Sequence, residues 1–212
     1  MHCTMSNAAD SALNEGGSRR VLLLNTGGTF SMRPTDKGLA PAPGYLQERI
    51  HAMEEFTFSE MPEVTVFDFD PLLDSADFSP QEWVSIAEGI EKNYLDYDGF
   101  VVVMGTDTLA YCASALSFVL ENLGKPVIIT GAQLPLCEAF SDARRNLIVS
   151  VLFAARLAGR PFHNEVCVFF GEHLLRGCRS TKLRALDLRA FDSPNFPPLA
   201  KLGVKFSMRA DL

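Results

Sequence analysis

The chain has 212 residues, of which 47% are hydrophobic, and a formal net charge of −7 at pH 7. This length predicts one domain to one and a half, with enough apolar residues for a substantial core. Basic residues form only short pairs, such as Arg19-Arg20 and Arg144-Arg145, so nucleic acid is not an expected partner. No apolar run approaches the roughly 18 to 20 residues that cross a bilayer, so no membrane partner is expected either.

The cysteines and the amino terminus bear on the compartment. Five cysteines are scattered without C-x-x-C spacing, and an odd, unpaired set is typical of a reducing compartment. The first 18 residues are rich in Ser, Asn, Ala and Gly and lack the apolar stretch of a signal peptide. We therefore predict a cytoplasmic protein with a disordered extension over 1–18.

The rest of the chain alternates between strand and helix patterns. Compact apolar or alternating runs predict strands at 21–25, 63–69, 99–104, 127–130 and 165–170. Apolar residues at helical spacing predict helices at 45–53, 80–94, 109–120 and 142–157. In the second helix, Ser79 is the predicted N-cap, Pro80 the first residue and Glu82 the capping-box partner. The alternation predicts an α/β fold with a doubly wound, mostly parallel sheet flanked by helices, Rossmann-like or flavodoxin-like.

The carboxy-terminal stretch has a weaker pattern. Residues 193–198 (SPNFPP) are irregular, and 204–206 read as the beginning of a short strand with nothing to pair with. Such an ending suggests a boundary imposed on a longer protein. We expect one domain over 19–192, followed over 193–212 by a linker and the truncated start of a second domain.

Small polar residues follow several of the predicted strands. Because function in open parallel sheets collects beyond the carboxyl ends of the strands, these groups are expected to meet at one edge. The four groups are Thr26–Thr29, Asp74-Ser75, Gly105–Thr108 and Thr130–Gln133. Their convergence predicts a binding or catalytic site.

Taken singly, each candidate also has an ordinary structural explanation. Paired glycines after a strand form turns, and a Thr or Asp before a helix caps it. By position alone, Lys182 is a solvated surface lysine. Metal-ligand spacing is missing among the histidines, which are His2, His51, His163 and His173. The site hypothesis therefore depends on the groups acting together.

The combination of motifs resembles the bacterial-type asparaginases, and among them the type I, cytoplasmic branch. The resemblance runs from about residue 21 to 206. The segments that carry it are TGGTFSM (26–32), PLLDSADFSPQEW (71–83), YDGFVVVMGTDTLAYCASALSFVLENLGKPVIITGAQLPL (97–136), SDARRNL (141–147), RGCRSTK (176–182) and SPNFPPL (193–199). TGGT together with GTDT at this separation is highly specific. The resemblance implies the amino-terminal catalytic domain of such an enzyme, with the family's second, carboxy-terminal α/β domain absent.

The resemblance also implies roles for particular residues. It makes Thr29 the nucleophile, and Thr106, Asp107 and Lys182 a second catalytic set. Lys182 accepts a proton in this set only if the pocket favours its neutral form or if Asp107 shares the proton. Asp107 would also bind the α-ammonium group of the substrate and Ser75 its α-carboxylate.

The remaining implications concern the neighbouring groups and the reaction. Asp74 lies next to Ser75 in the implied substrate site, which also includes Thr106, and a backbone N–H near Thr106 would stabilise the oxyanion. The implied reaction converts L-asparagine to L-aspartate and ammonia through a threonine acyl-enzyme. No metal or organic cofactor is implied, and the full-length form would be a homodimer or homotetramer.

Three positions depart from the family pattern. Met104 precedes Gly105 where the family usually has His, and its side chain is expected to point to the other face of the strand. Leu39 stands where many members have the tyrosine of a mobile loop that follows TGGT. Ala143 replaces the glycine of Ser-Asp-Gly.

Two other functions remain open from the sequence. One is the ammonia-producing subunit of a tRNA-dependent amidotransferase, which shares TGGT and GTDT; the unbroken type I segments argue against it. The other is a truncated, inactive domain that binds an amino acid or a partner subunit. Type I relatives can also be regulated by asparagine at a second site, and Thr181 lies near the position that the resemblance implies for it.

Overall fold

The computed structural model describes residues 19–36, 38–160, 164–204 and 206–209. The extension predicted over 1–18 lies outside the described residues. The strands, in chain order, are β1 Arg20–Gly27, β2 Met32–Thr35, β3 Gly38–Pro41, β4 Glu63–Leu73, β5 Gly99–Val103, β6 Val127–Thr130, β7 Val166–Phe170, β8 His173–Arg176, β9 Thr181–Lys182, β10 Phe191–Asp192, β11 Ala200–Leu202 and β12 Phe206–Met208.

One mixed sheet organises the described residues. Its strand order is β12-β11-β8-β7-β6-β5-β1-β4. The strands from β4 to β7 in this order pair in parallel, whereas β8, β11 and β12 add antiparallel pairs at one side. The α-helices are α1 Tyr45–Ala52, α2 Pro80–Lys92, α3 Leu109–Val119 and α4 Ala143–Leu157. The predicted α/β class with a mostly parallel, helix-flanked sheet is confirmed.

Successive strand residues bury their side chains on opposite faces of the sheet. In β1, Leu23 belongs to a core that includes apolar residues of α1 and α4, such as Leu46 and Leu147. The neighbouring Leu22 and Leu24 belong to a second core with residues of α2 and α3. Period-two alternation in a strand covered on both sides produces this division. The sheet is therefore doubly wound, and polar groups can collect at its edge.

The capping residues predicted for the start of α2 make the expected hydrogen bonds. The Ser79 side chain accepts a hydrogen bond from the Gln81 backbone N–H, and the Glu82 carboxylate accepts one from the Ser79 backbone N–H at 2.6 Å. Pro80 occupies the first helical position, where its missing N–H costs nothing. The cap satisfies N–H groups that a helix otherwise leaves unpaired.

The substitution Ser79→Ala should lower the free energy of unfolding by about 1 kcal/mol, because it removes the cap acceptor. Urea denaturation measures this loss. Ser59→Ala, at an exposed serine outside the helices, is the matched control and should change the stability little. Equal losses for the two variants would contradict the role of the cap.

Several boundaries differ from the sequence prediction. Strand β4 continues to Leu73 instead of ending at 69, because its pairing with β1 shifts between Asn25 and Gly27 and resumes at Leu73. Helix α4 begins at Ala143 rather than 142, although the Ser141 hydroxyl does accept from the Ala143 N–H at 3.0 Å. Helix α3 ends at Val119 rather than 120, and Val119 is half exposed.

The carboxy-terminal strands correct another expectation. The strand lies at Phe206–Met208, not 204–206, and it has a partner, since it pairs with β11. Strand β11 pairs in turn with β8, which the sequence did not predict. The described residues after 192 therefore add two strands to the main sheet. The division between a domain at 19–192 and a linker at 193–212 stays a prediction.

The described cysteines are unpaired thiols in different environments. Cys137 is exposed, whereas Cys112 and Cys167 are buried. Burial raises the pKa of the Cys112 thiol to about 12 and that of Cys167 well above its ordinary value. A thiol reacts with electrophiles as the thiolate. Cys112 and Cys167 are therefore protected twice, because burial blocks access of the reagent and keeps both thiols protonated.

Iodoacetamide at about pH 8 should therefore alkylate Cys137 in the folded chain but leave Cys112 and Cys167 unmodified. Peptide mass mapping follows each thiol separately. Addition of urea should bring all three to similar rates. Alkylation of Cys112 at the rate of Cys137 in the folded chain would contradict the burial of its thiol.

None of the helices in the described parts of the chain is both long and apolar enough to cross a membrane.

Candidate active site

Four parallel strands bring polar residues to the same edge of the sheet. Strand β1 leads into a 3-10 turn at Thr29–Ser31, and β4 leads through Asp74 into a second turn at Ser75–Asp77. Strand β5 is followed by Thr106 and Asp107, and β6 by Gln133. The sequence predicted that these four connections would meet, because the carboxyl ends of parallel strands lie at the same edge of a sheet.

Two glycines allow the segments that follow β1, β4 and β5 to approach one another closely. A Cβ atom on Gly28 would lie 2.4 Å from the backbone nitrogen of Gly105. A Cβ on Gly105 would in turn lie 2.5 Å from the Ser75 hydroxyl oxygen. Gly28 also has φ 74° and ψ −177°, a conformation that essentially only glycine adopts. The residues that follow the two glycines, Thr29 and Thr106, are thereby held next to this contact.

Lys182 reaches this edge from a separate two-stranded hairpin, β9–β10. Its ammonium group donates hydrogen bonds to Thr106 Oγ1 and Asp107 Oδ1, each at 2.8 Å. The Lys182 side chain is 19% exposed and that of Asp107 is 65% exposed. A hydroxyl, an ammonium and a carboxylate are therefore in direct contact, with the carboxylate open to solvent and to a ligand.

The segment that carries Lys182, residues 177–182, begins near the carboxy-terminal end of α3. A Cβ on Gly177 would lie 2.7 Å from the Val166 carbonyl oxygen and 3.0 Å from the Ser117 hydroxyl oxygen. Ser117 is in the last turns of α3, whereas Thr106 lies three residues before the first residue of this helix, Leu109. Residues 177–182 consequently run along α3 toward its amino-terminal end.

Ser75 is buried and supports the segment that carries Asp107. Its hydroxyl oxygen accepts from the Asp107 backbone N–H at 3.3 Å, and its carbonyl accepts from the Thr108 hydroxyl at 2.8 Å. Asp74 beside it is exposed, and its carboxylate accepts from the Ala76 N–H at 3.0 Å. The structure thus places Asp74 and Ser75 next to the Thr106–Lys182 cluster.

A second polar network, which the sequence did not identify, lies beneath Thr29. Asn25 Nδ2 donates to Asp68 Oδ1 at 2.7 Å, and Asn25 Oδ1 accepts from the Ser31 hydroxyl at 2.5 Å and the Gly27 N–H at 3.2 Å. These contacts hold both sides of the turn that carries Thr29, which is itself half buried. Asn25 ends an apolar run, and that position was the available sequence signal.

Gln133 is a further site residue whose role the sequence did not define. Its side-chain carbonyl oxygen lies 3.3 Å from Thr106 Oγ1, and its side-chain nitrogen donates to the carbonyls of Ala185 at 2.7 Å and Asp187 at 3.2 Å. The sequence signal was its place directly after a buried strand.

The three departures from the family pattern occupy distinct environments. Met104 is fully buried in the core shared with α2 and α3, as expected for a side chain on the other face. Leu39 lies in the β2–β3 hairpin and is 47% exposed. Ala143 is buried at the start of α4.

The described residues contain no group of three or more His, Cys, Asp or Glu side chains arranged to hold a metal ion. His173 lies on β8, and burial lowers the pKa of its imidazole. His2 and His163 are outside the described residues.

Comparison with known proteins agrees with the architecture and the motifs. The family model described as "Asparaginase, N-terminal" matches residues 20–212. The chain therefore belongs to the asparaginase family.

Its relatives include two asparaginases and a protein named as a lysophospholipase. The chain is 48% identical to L-asparaginase 1 of Escherichia coli (strain K12) over 88% of its own length and 54% of that protein's. It is 41% identical to a 60 kDa lysophospholipase of Mus musculus, covering 93% of the chain and 38% of that protein. The crystal structure of L-asparaginase I from Vibrio cholerae O1 biovar eltor str. N16961 superimposes with a TM-score of 0.84 at 43% identity, covering 92% of the chain and 57% of that structure. The chain thus spans about half the length of the asparaginases it matches.

Because the ends of β1 and β5 approach closely, replacing Gly28 should lower the stability more than replacing Gly44. Gly28→Ala should destabilise the chain by about 2 to 3 kcal/mol, because the new methyl group meets backbone atoms and the conformation is reserved for glycine. Gly44→Ala is the control, since Gly44 also has positive φ (76°) but has nothing within 4 Å of its would-be Cβ. Its loss should be about 1 kcal/mol. Equal losses in urea denaturation would contradict the backbone contact.

Proposed function

We propose that the chain forms the amino-terminal catalytic part of an amidohydrolase that converts L-asparagine to L-aspartate and ammonia. The observation that carries the proposal is the contact of the Lys182 ammonium with both Thr106 Oγ1 and Asp107 Oδ1 at 2.8 Å. This arrangement provides a route for a proton between a hydroxyl and a carboxylate. The similarity to proteins named L-asparaginase supports the choice of substrate.

In the first chemical step, Thr29 Oγ attacks the side-chain amide carbon of asparagine. The new C–O bond forms as the C–N bond breaks, and the hydroxyl proton passes to the departing nitrogen, which leaves as ammonia. A threonine hydroxyl is a weak nucleophile and needs a group that removes its proton. Lys182 can accept a proton when it transfers its own to the Asp107 carboxylate, with Thr106 in contact with the same nitrogen.

In the second step, water attacks the ester carbon of the aspartyl-Thr29 intermediate. The C–O bond to water forms, the bond to Thr29 Oγ breaks, and a proton returns to the threonine. The products are L-aspartate and the free hydroxyl. In this scheme a backbone N–H near Thr106 stabilises the oxyanion in both steps, an effect typically worth about 3 to 4 kcal/mol per donor.

Substrate recognition follows from charge and exposure. The Asp107 carboxylate is open on one side and is a suitable partner for the α-ammonium group. Ser75 Oγ accepts from the Asp107 N–H, so its own hydrogen remains to donate to the α-carboxylate, with Asp74 adjacent. The site binds both charged ends of an amino acid and leaves the amide near Thr29.

We further propose that the active form is cytoplasmic and a homodimer or homotetramer. The buried and exposed thiols without a disulfide suit a reducing compartment. The two asparaginases compared above are about twice as long as the chain, so the activity must be measured on this chain by itself.

The test is ammonia release from L-asparagine by the 212-residue chain. Thr29→Ala and Lys182→Met should each lower kcat at least about a thousandfold, since each removes a group that acts in the transition state. Thr57→Ala and Lys92→Met, at exposed positions outside the site, are the matched controls and should leave the rate unchanged.

The nucleophile is identified by trapping the intermediate. Acid quenching with radiolabelled asparagine, followed by peptide mapping, should place the label on the peptide that contains Thr29. Label on the Thr106 peptide, or full activity of Thr29→Ala, would overturn the assignment. Asparagine binding without ammonia release would instead favour an inactive, amino-acid-binding domain.

A further inference from the structure

Gln133 connects three separate parts of the site. Its backbone N–H donates to the Asp142 carboxylate at the start of α4, with distances of 3.0 and 3.1 Å to the two oxygens. Its side chain contacts Thr106 on one side and the carbonyls of Ala185 and Asp187 on the other. One residue therefore links α4, the segment after β5 and the hairpin that carries Lys182.

The chemistry of these partners fixes the orientation of the Gln133 amide. Backbone carbonyl oxygens only accept hydrogen bonds, so the NH₂ group must face Ala185 and Asp187, and its two hydrogens match these two acceptors. The amide oxygen must then face Thr106, whose hydroxyl donates to it. Because the Thr106 hydrogen points to Gln133, its oxygen lone pairs are left to accept from Lys182.

The segment 183–189 depends on this contact. All seven of its residues are exposed, so little apolar packing holds it. Its remaining hydrogen bonds within the described part of the chain stay inside the hairpin, as between the Leu183 N–H and the Ala190 carbonyl at 2.9 Å. Ala185 and Asp187 follow Lys182 by only three and five residues. Fixing their carbonyls therefore restricts the lysine.

We propose that Gln133 is a positioning residue that fastens the 183–189 segment to the sheet edge and so holds Lys182 against Thr106 and Asp107. The inference rests on the proposed function only in its meaning for catalysis, because the structural effect does not require turnover. Gln133 acts through Thr106 and Lys182 and has no contact with the reacting amide in this scheme.

The first experiment measures trypsin cleavage after Arg184 and Arg189 in the 212-residue chain. Gln133→Met keeps the side-chain size but removes both donors, so cleavage should become about tenfold faster as the segment opens more often. Gln133→Glu keeps an acceptor for Thr106 but turns an oxygen toward the two carbonyls, and it should also speed cleavage. Gln47→Met, at an exposed glutamine of α1, should leave the rate unchanged.

The second experiment reports on Lys182 itself. Competitive acetylation, read by mass spectrometry as the ratio of Lys182 to the exposed Lys92, should rise about threefold or more in Gln133→Met. The ratio corrects for differences in reagent dose between samples. An unchanged ratio together with unchanged cleavage in a folded Gln133→Met chain would overturn the proposal.

A third measurement uses the unmodified chain and so does not depend on whether a variant folds. The Gln133 side-chain NH₂ protons should exchange with solvent at least about fivefold more slowly than those of Gln47, observed by NMR. Equal exchange rates would overturn the proposal. Absence of ammonia release in the parent, by contrast, would count against the proposed function and leave these three results intact.

Discussion

The contact of the Lys182 ammonium with Thr106 and Asp107 is the interaction on which the site depends. Lys182 comes from a small hairpin outside the main sheet, 76 and 75 residues along the chain from its two partners. No local geometry brings it there, so its position results from the packing of larger elements. A lysine in this position gives the Thr-Asp pair that precedes α3 a route for protons. The ordinary explanation of each residue, as a cap or a surface lysine, does not account for their contact.

The close approach of the segments after β1, β4 and β5 is the second feature that positions the site residues. Gly28 lets the ends of β1 and β5 approach at backbone distance, and Gly105 lets the segment after β5 approach Ser75, which follows β4. Beneath them, Asn25 ties the turn after β1 to Asp68 on the adjacent strand. The residues with the smallest side chains therefore position those with the reactive ones. This division explains why the site occupies the edge between β1, β4 and β5 and not another part of the sheet.

The parts of the fold that follow from local chemistry could be predicted from the sequence. The start of α2 is an example, because Ser79, Pro80 and Glu82 act on neighbouring backbone groups. Buried parallel strands such as β5 were equally readable from their apolar runs. Strands β8, β11 and β12 were missed or misplaced, since short antiparallel edge strands are defined by partners distant in the sequence.

The candidate site divides in the same way. Convergence of the four strand ends could be inferred from the parallel sheet alone. The roles proposed for Thr29 and Lys182 rest on the resemblance to a family, because sequence spacing gives no reason to connect residue 182 with residue 106. The links made by Asn25 and Gln133 depend on side-chain directions across the sheet. No pattern in the sequence encodes these directions, which only the three-dimensional structure defines.

The course of residues 177–182 along α3 has a consequence for how the chain can vary in length. From Leu109 to Ser117 the helical rise is about 12 Å, at 1.5 Å per residue, and Thr106 lies three residues before Leu109. Five peptide units cover at most about 17 Å when fully extended, and the turn at Gly177–Arg179 shortens the path, so the lysine side chain must cover the remainder. Adding a turn to α3 without lengthening the strand beside it would leave Lys182 short of its partners. The helix and the segment beside it are thus matched in length and can change only together.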